Sequence, residues 1–176
     1  MRKAAIIVAA VGFIIALYVG TRRHAGDRKA VAEPNSASAM APALSLVDLG
    51  GNKIETASYR GNVVLINFWA AWCTPCAQEI PQFVAFQDRY RGQGFQILGI
   101  SMEDQESALR RFYATYKMNY PVVIGNQRIA QDYGGILGLP TSFLVGRDGR
   151  IQQKYAGVTD FARLEHDIVA LLQAGK

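Results

Sequence analysis

Cys73 and Cys76 stand three positions apart in Trp72-Cys73-Thr74-Pro75-Cys76, and they are the only cysteines among the 176 residues. Thiols at that spacing cannot staple distant segments, so they form a local pair whose purpose is chemistry or packing. On a helix the i, i+3 offset brings Cβ atoms within about 5–6 Å, near enough to close a disulfide after small adjustment. A four-residue ring stabilises a fold by about 2 kcal/mol, against ~3 kcal/mol for a fifteen-residue loop, before ring strain is subtracted. A bond of so little structural value suits one that opens and closes in each reaction cycle. At a helix N-terminus, free N–H groups and the helix dipole favour an anion, which lowers the Cys73 pKa and makes it the attacking nucleophile. Cys76, one turn inward, resolves the mixed disulfide that Cys73 forms with a partner. The competing reading, half of a zinc site, lacks ligands, because His24 and His166 have no metal-ligand spacing to the pair. No metal and no cofactor are expected.

The elements needed to position such a pair are legible around it. Asn62 to Trp69 (NVVLINFW) is a nearly continuous apolar, β-rich run of the kind found in a central strand covered on both faces. From Pro75 to Tyr90 the spacing predicts a helix, with Pro75 tolerated near its first turn. Gly94 separates this helix from a strand at Phe95 to Ser101. A second helix carries Leu109, Phe112, Tyr113 and Tyr116 on one face, with Glu103 or Asp104 as its cap. Pro121 to Ile124 is a short strand and Gln127 to Tyr133 a short helix ended by Gly134-Gly135. A hairpin of Thr141–Val145 and Ile151–Tyr155 follows. Thr159 or Asp160 then caps a last helix whose Phe161, Leu164, Ile168, Leu171 and Leu172 form its buried stripe. Upstream, Leu44, Leu46 and Leu49 and then Ile54 flank Gly50-Gly51-Asn52, which predicts two short strands acting as a lid or flap ahead of the main fold. Strands alternating with helices and closing on a hairpin and a helix give an α/β fold with a mixed central sheet flanked by helices and an N-terminal β-hairpin extension.

The first 43 residues do not belong to that fold. Ala4 to Gly20 is an uncharged, largely apolar run of 17 residues, at the lower end of the ~17–25 needed to span a bilayer. Residues 1–20 are therefore expected to be an uncleaved, single-pass membrane anchor. The alternative is a cleaved signal peptide, with a shorter apolar region of ~7–15 residues and a small-residue site close behind, whereas Ala37-Ser38-Ala39 lies far downstream. Residues 21–43, with Glu33-Pro34-Asn35-Ser36, read as a flexible linker, leaving 44–176 as the globular domain. The net charge of +5 is uneven: residues 1–43 hold six Lys/Arg against two acids, and the remainder 13 against 12. A nearly neutral domain offers no basic groove for phosphate, which argues against nucleic acid as a partner.

Residues 44–176 resemble the TlpA/ResA-like thiol-disulfide oxidoreductases of the thioredoxin superfamily. The matching segments are Leu44-Ser45-Leu46-Val47-Asp48-Leu49-Gly50-Gly51, the run from Tyr59 to Cys73, Glu79-Ile80-Pro81 and Gly138-Leu139-Pro140-Thr141. The resemblance implies a thioredoxin-like fold in which Pro140 is a cis proline facing the cysteines. It also implies that the Leu139 backbone is available to a substrate strand, with Trp72 and Thr141 at the same surface. It makes Glu79 the acid beneath the active site, which if buried would have a raised pKa and exchange protons with Cys76; the alternative is a solvated helix glutamate. Asn67 departs from thioredoxin, where the matching strand position is a buried aspartate, so acid-base help falls to Glu79 or water. Trp69 either shapes the surface beside the sulfurs or packs the core.

The resemblance further implies a protein-disulfide reductase, with protein thiols and disulfides as substrates and a membrane electron donor of DsbD/CcdA type. Its setting would be the bacterial inner membrane, with the redox domain in the periplasm or outside the cell membrane. The charge bias of Arg22, Arg23, Arg28 and Lys29 over Arg2 and Lys3 points the other way. Cytochrome c maturation and copper-site or oxidase assembly are the implied processes. Thr74-Pro75 does not set the potential, so an oxidant or isomerase stays open. From another class, a Sco-like copper module would use both thiolates and a distal histidine, although such modules favour three residues between the cysteines and His166 falls on a predicted helix.

Overall fold

Strand β3 (Val63–Trp69) is buried along its whole length, as its uninterrupted Val-Val-Leu-Ile run requires of a strand covered on both faces. In the computed structural model, which describes residues 39–102 and 105–174, it is the middle of a five-stranded sheet of order β5-β4-β3-β6-β7. Strand β4 (Phe95–Ser101) runs parallel to β3, and β5 (Val122–Ile124) parallel to β4. On the other side, β6 (Thr141–Val145) is antiparallel to β3 and β7 (Ile151–Ala156) antiparallel to β6. The sheet is mixed, as expected.

Alternation of side chains along β3 splits the core in two. Val63, Leu65 and Trp69 pack with residues of helices α1 (Thr74–Tyr90), α2 (Glu106–Thr115) and α4 (Phe161–Gln173). Val64, Ile66 and Phe68 pack on the opposite face with Leu44, Ile54 and, from helix α3 (Gln127–Asp132) and its end, Ile129 and Tyr133. Helix α1 buries Cys76, Ile80, Phe83, Phe86 and Tyr90, the stripe that lays its N-terminus at the end of β3. Gly94, at φ 89°, turns the chain from the end of α1 into β4 in a left-handed conformation that glycine adopts without strain. Gly99 in β4 allows a close approach: a Cβ there would stand 3.1 Å from the Trp69 indole nitrogen and 3.4 Å from the Tyr120 ring.

Three expectations are revised. The N-terminal hairpin, β1 (Ser45–Val47) with β2 (Lys53–Glu55), forms but is not a lid. It fastens to the open edge of the sheet, where the Leu49 N–H donates to the Val122 carbonyl (3.0 Å) and Asp48 bridges Val123. An edge strand leaves backbone groups unpaired, and the hairpin satisfies them. Residues 39–41, read as linker, pair with the turn after β6: the Ala41 N–H donates to Gly149 and the Ile151 N–H to Ala39, each at 2.9 Å. Helix α2 starts after Gln105 as its N-cap residue, while the expected caps Glu103 and Asp104 lie outside the described residues. The expected anchor, residues 1–20, and residues 21–38 of the linker also lie outside them. Among the described residues no helix is long and apolar enough to cross a membrane.

Candidate active site

Strand β3 ends at Trp69, and a tight turn closed by the Cys73 N–H on the Ala70 carbonyl (3.1 Å) delivers Cys73 to the N-cap of α1. Its extended backbone is that of a capping residue, and its Sγ accepts the Cys76 N–H at 3.3 Å. The sulfur thus occupies the position a serine or aspartate oxygen takes at other helix starts, where an orphan donor and the dipole stabilise negative charge. Thr74 and Pro75 fill the first turn, where the missing proline N–H has no partner to lose.

Cys73 and Cys76 are joined as a disulfide with an S–S distance of 2.03 Å and a Cα separation of 5.3 Å. The expected outward–inward order holds but is subtler than the spacing suggested. Cys73 is 5% exposed and Cys76 1%, so both are largely covered and Cys73 is the less covered of the two. Trp72, 67% exposed, stands beside it on the surface. Trp69 is wholly buried against Phe112 and belongs to the core.

Glu79 follows Cys76 by three residues, so their Cβ atoms lie about 5–6 Å apart along one face of α1. It is not a solvated helix acid: it is 2% exposed, and its Oε1 accepts the Thr159 N–H at 2.6 Å. Oε2 has no hydrogen-bond partner among the described residues and is the oxygen available to a proton. Burial pushes the Glu79 carboxyl above the usual carboxylate range, and hydrogen bonding from Thr159 pulls it part of the way back. Asn67, buried in β3, donates through Nδ2 to Ser142 Oγ at 2.9 Å and ties β3 to β6 where an aspartate would have titrated.

The Leu139–Pro140 peptide is cis, as the resemblance implied. Pro140 is buried and its carbonyl accepts the Gly157 N–H at 2.9 Å. The backbone N–H and C=O of Leu139 carry no hydrogen bond among the described residues, which leaves them to an added strand. Thr141 does not present its side chain to a substrate. It is buried, and its hydroxyl donates to the Gly138 carbonyl (2.8 Å), bracing the loop that carries Leu139.

Two surface residues escaped the sequence reading. Leu137 and Val158 are fully or largely exposed on the loops before Pro140 and after Gly157, and neither lies in a periodic pattern that would have marked it. Trp72, Met102, Ile136, Leu137 and Leu139 line a shallow groove of about 390 Å³. The distal histidine of the copper-module alternative, His166, is exposed on α4, with its Nδ1 3.1 Å from Asp167 Oδ1. Among the described residues no three His, Cys, Asp or Glu side chains group as metal ligands.

A family model described as AhpC/TSA family matches residues 37–154. Among curated proteins, the thiol-disulfide oxidoreductase ResA of Bacillus thuringiensis subsp. konkukian (strain 97-27) is 34% identical over 126 residues, covering 71% of this chain and 72% of that protein. ResA of Bacillus subtilis (strain 168) is 30% identical over 136 residues, covering 77% and 75%. Among solved structures, a putative thiol:disulfide interchange protein DsbE from Chlorobium tepidum superposes with a TM-score of 0.73 at 29% identity, covering 77% of this chain and 97% of that one.

Proposed function

This chain belongs to the AhpC/TSA family of the thioredoxin superfamily and within it is a ResA-like thiol-disulfide oxidoreductase, and on that premise we propose that it works as a membrane-anchored, extracytoplasmic reductant of protein disulfides. Reduced Cys73 attacks one sulfur of a substrate disulfide, forms a mixed disulfide and releases the other sulfur as a thiolate. Cys76 then attacks Cys73 Sγ, releases the second substrate thiol and leaves the Cys73–Cys76 disulfide. Two electrons from a membrane dithiol donor of DsbD/CcdA type restore the pair. The proposed substrates are cysteines of apocytochrome c or of copper-site and oxidase assembly proteins.

The single observation that carries the reading is the burial of Glu79 one helical turn behind Cys76. An acid held there, with its pKa raised, takes the Cys76 proton as that sulfur becomes the nucleophile and returns it when the pair is reduced. Trp72, Leu137 and the free Leu139 backbone form the surface on which a substrate strand lies, and Pro140 backs it. The anchor reading rests on the apolar run Ala4 to Gly20.

Trapping tests the reading: a Cys76→Ser variant in its native cell accumulates mixed disulfides through Cys73, and mass spectrometry names the partners. Absence of any Cys73 adduct sinks protein disulfides as substrates. The reduction potential separates reductant from oxidant, since a value near about −120 mV would make the protein a disulfide donor.

A further inference from the structure

Glu79 Oε2, Asn67 Oδ1, the Trp69 indole N–H and the Tyr120 hydroxyl are buried, and none of the four has a hydrogen-bond partner among the described residues. The residues that carry them are each 2% exposed or less. Two are acceptors, an amide and a carboxylate oxygen, and two are donors, an indole N–H and a phenol O–H. Buried polar groups in native proteins pair with one another or with an internal water.

The sheet gathers them on its α1 side. Asn67 and Trp69 stand two apart in β3 and share the face that carries Leu65. Asn67 lies opposite Gly99 of β4. The point a Cβ would occupy at Gly99 is 3.1 Å from Trp69 Nε1 and 3.4 Å from Tyr120 Cε2, the ring carbon beside the one that bears the hydroxyl. Indole nitrogen and phenol edge therefore flank the space that the glycine leaves without a side chain. Tyr120 precedes β5, and its carbonyl accepts the Tyr113 hydroxyl at 3.4 Å. It packs in the same core as Cys76, Ile80 and Phe83 of α1, the helix that buries Glu79.

Burial, and after it the electrostatic effect of Tyr113 and Glu79, holds the Tyr120 phenol well above the usual tyrosine range, so it remains a donor at neutral pH. The other titratable groups around Glu79 are Cys73 and Cys76 on its own helix and Tyr113 on α2. Helix α4 turns the apolar Phe161 and Leu164 to this core, and Asp160 ahead of it is exposed.

We propose that Tyr120 is a positioning residue for Glu79, acting through one internal water that accepts from the Tyr120 hydroxyl and the Trp69 indole N–H and donates to Asn67 Oδ1 and Glu79 Oε2. Two donors and two acceptors are the full complement of a single water. The inference rests on the reading of Glu79 as proton acceptor for Cys76 and adds what keeps it ready to accept. When the Cys76 proton moves to Oε2, the water loses one of its acceptors, so the site favours the ionised carboxylate and opposes the effect of burial. An asparagine at position 67 suits this arrangement, because an aspartate there would set a second negative charge against Glu79.

Carbon NMR of the full-length chain in detergent micelles tests the proposal, with the Glu79 carboxyl signal assigned by its loss in Glu79→Gln. The oxidised protein is titrated, so that the cysteines do not contribute. Tyr120→Phe removes only the hydroxyl and is expected to raise the Glu79 midpoint by about one pH unit, a tenfold change in proton affinity. The Trp69 indole proton is expected to show cross-relaxation with a long-lived water. In the reduced protein mixed with dithiobis(nitrobenzoate), the first chromophore release reports attack by Cys73 and the second reports resolution by Cys76. The acid limb of the second phase should move up with the Glu79 midpoint in Tyr120→Phe, and the same substitution on Glu79→Gln should add nothing. Should the phenylalanine variant fold poorly, Tyr120→Met fills the space without a hydroxyl and gives the same comparison. A Glu79 midpoint that stays in place, or a shift in resolution that persists on Glu79→Gln, overturns the proposal, and so does a Trp69 indole proton without a water signal. If Glu79→Gln leaves the second phase unchanged, the proton-acceptor reading falls instead, while a moved midpoint still upholds the link from Tyr120 to Glu79.

Discussion

The Glu79 carboxylate accepts the backbone N–H of Thr159 at 2.6 Å, joining the buried acid of helix α1 to the residue that leads into helix α4. The bond orients one oxygen and leaves the other for a proton, and it draws its donor from a residue 80 positions away.

Replacing Glu79 by Gln keeps the shape and removes the titration. Because burial raises the folded pKa above the ordinary glutamate value, the folded state binds the proton more tightly than the unfolded one. The stability this confers is complete below the unfolded pKa and declines as pH rises through the folded value. The variant is therefore expected to lose this decline and to gain on wild type as pH increases, measured by thermal melts of the oxidised protein across pH. The resolving step through Cys76 is expected to slow on the order of 10²-fold, the scale of general-base catalysis, while the first attack by Cys73 changes little. Stopped-flow traces with wild-type pH dependence of resolution would remove Glu79 from the mechanism.

Cys73→Ser is expected to abolish exchange altogether, and Cys76→Ser to allow the first attack and then stall. Mass spectrometry with a model disulfide checks this: a one-to-one adduct on Cys76→Ser and none on Cys73→Ser. An adduct at Cys76 in the Cys73→Ser variant would reverse the assigned roles.

Trp72→Ala removes an exposed side chain, so stability should change by no more than about 0.5 kcal/mol. Reduction of a protein disulfide should fall roughly 10–30-fold, the cost of losing an aromatic anchor, while reduction of a small disulfide stays within about twofold. Equal loss with both substrates would show that Trp72 acts on the cysteines rather than on the partner.

Asp160 caps α4 through Oδ1 and the Arg163 N–H at 3.1 Å. Asp160→Ala is expected to cost about 1 kcal/mol, a Tm drop of roughly 3–5 °C. It also loosens the segment that presents Thr159 to Glu79, so the pH profile of resolution should shift; a variant with lower Tm and an unshifted profile would uncouple the cap from the site.

Much of this site is local in the chain and was legible there. The apolar run of β3, the helix after it and the i, i+3 cysteines each depend on neighbours in sequence, which is why their bounds agree with the structure to within a residue or two. The cis bond at Pro140 came from resemblance, since composition and periodicity do not distinguish it. What was missed is tertiary. The Thr159 donor, the exposure of Leu137 and Val158, the inward turn of the Thr141 hydroxyl and the docking of the hairpin on β5 depend on which distant segments meet.

Of the two bonded cysteines, Cys73 is the less covered and Cys76 is sealed beneath it. A small thiol that opens the bond from the Cys73 side is left attached to Cys73 while Cys76 is set free within the same turn of helix. Cys76 can expel the intruder at the effective concentration of an intramolecular reaction, far above that of any free thiol. One-sided access therefore makes the centre self-clearing: stray adducts are shed, and only a partner held on the surrounding surface stays long enough for both electrons to pass.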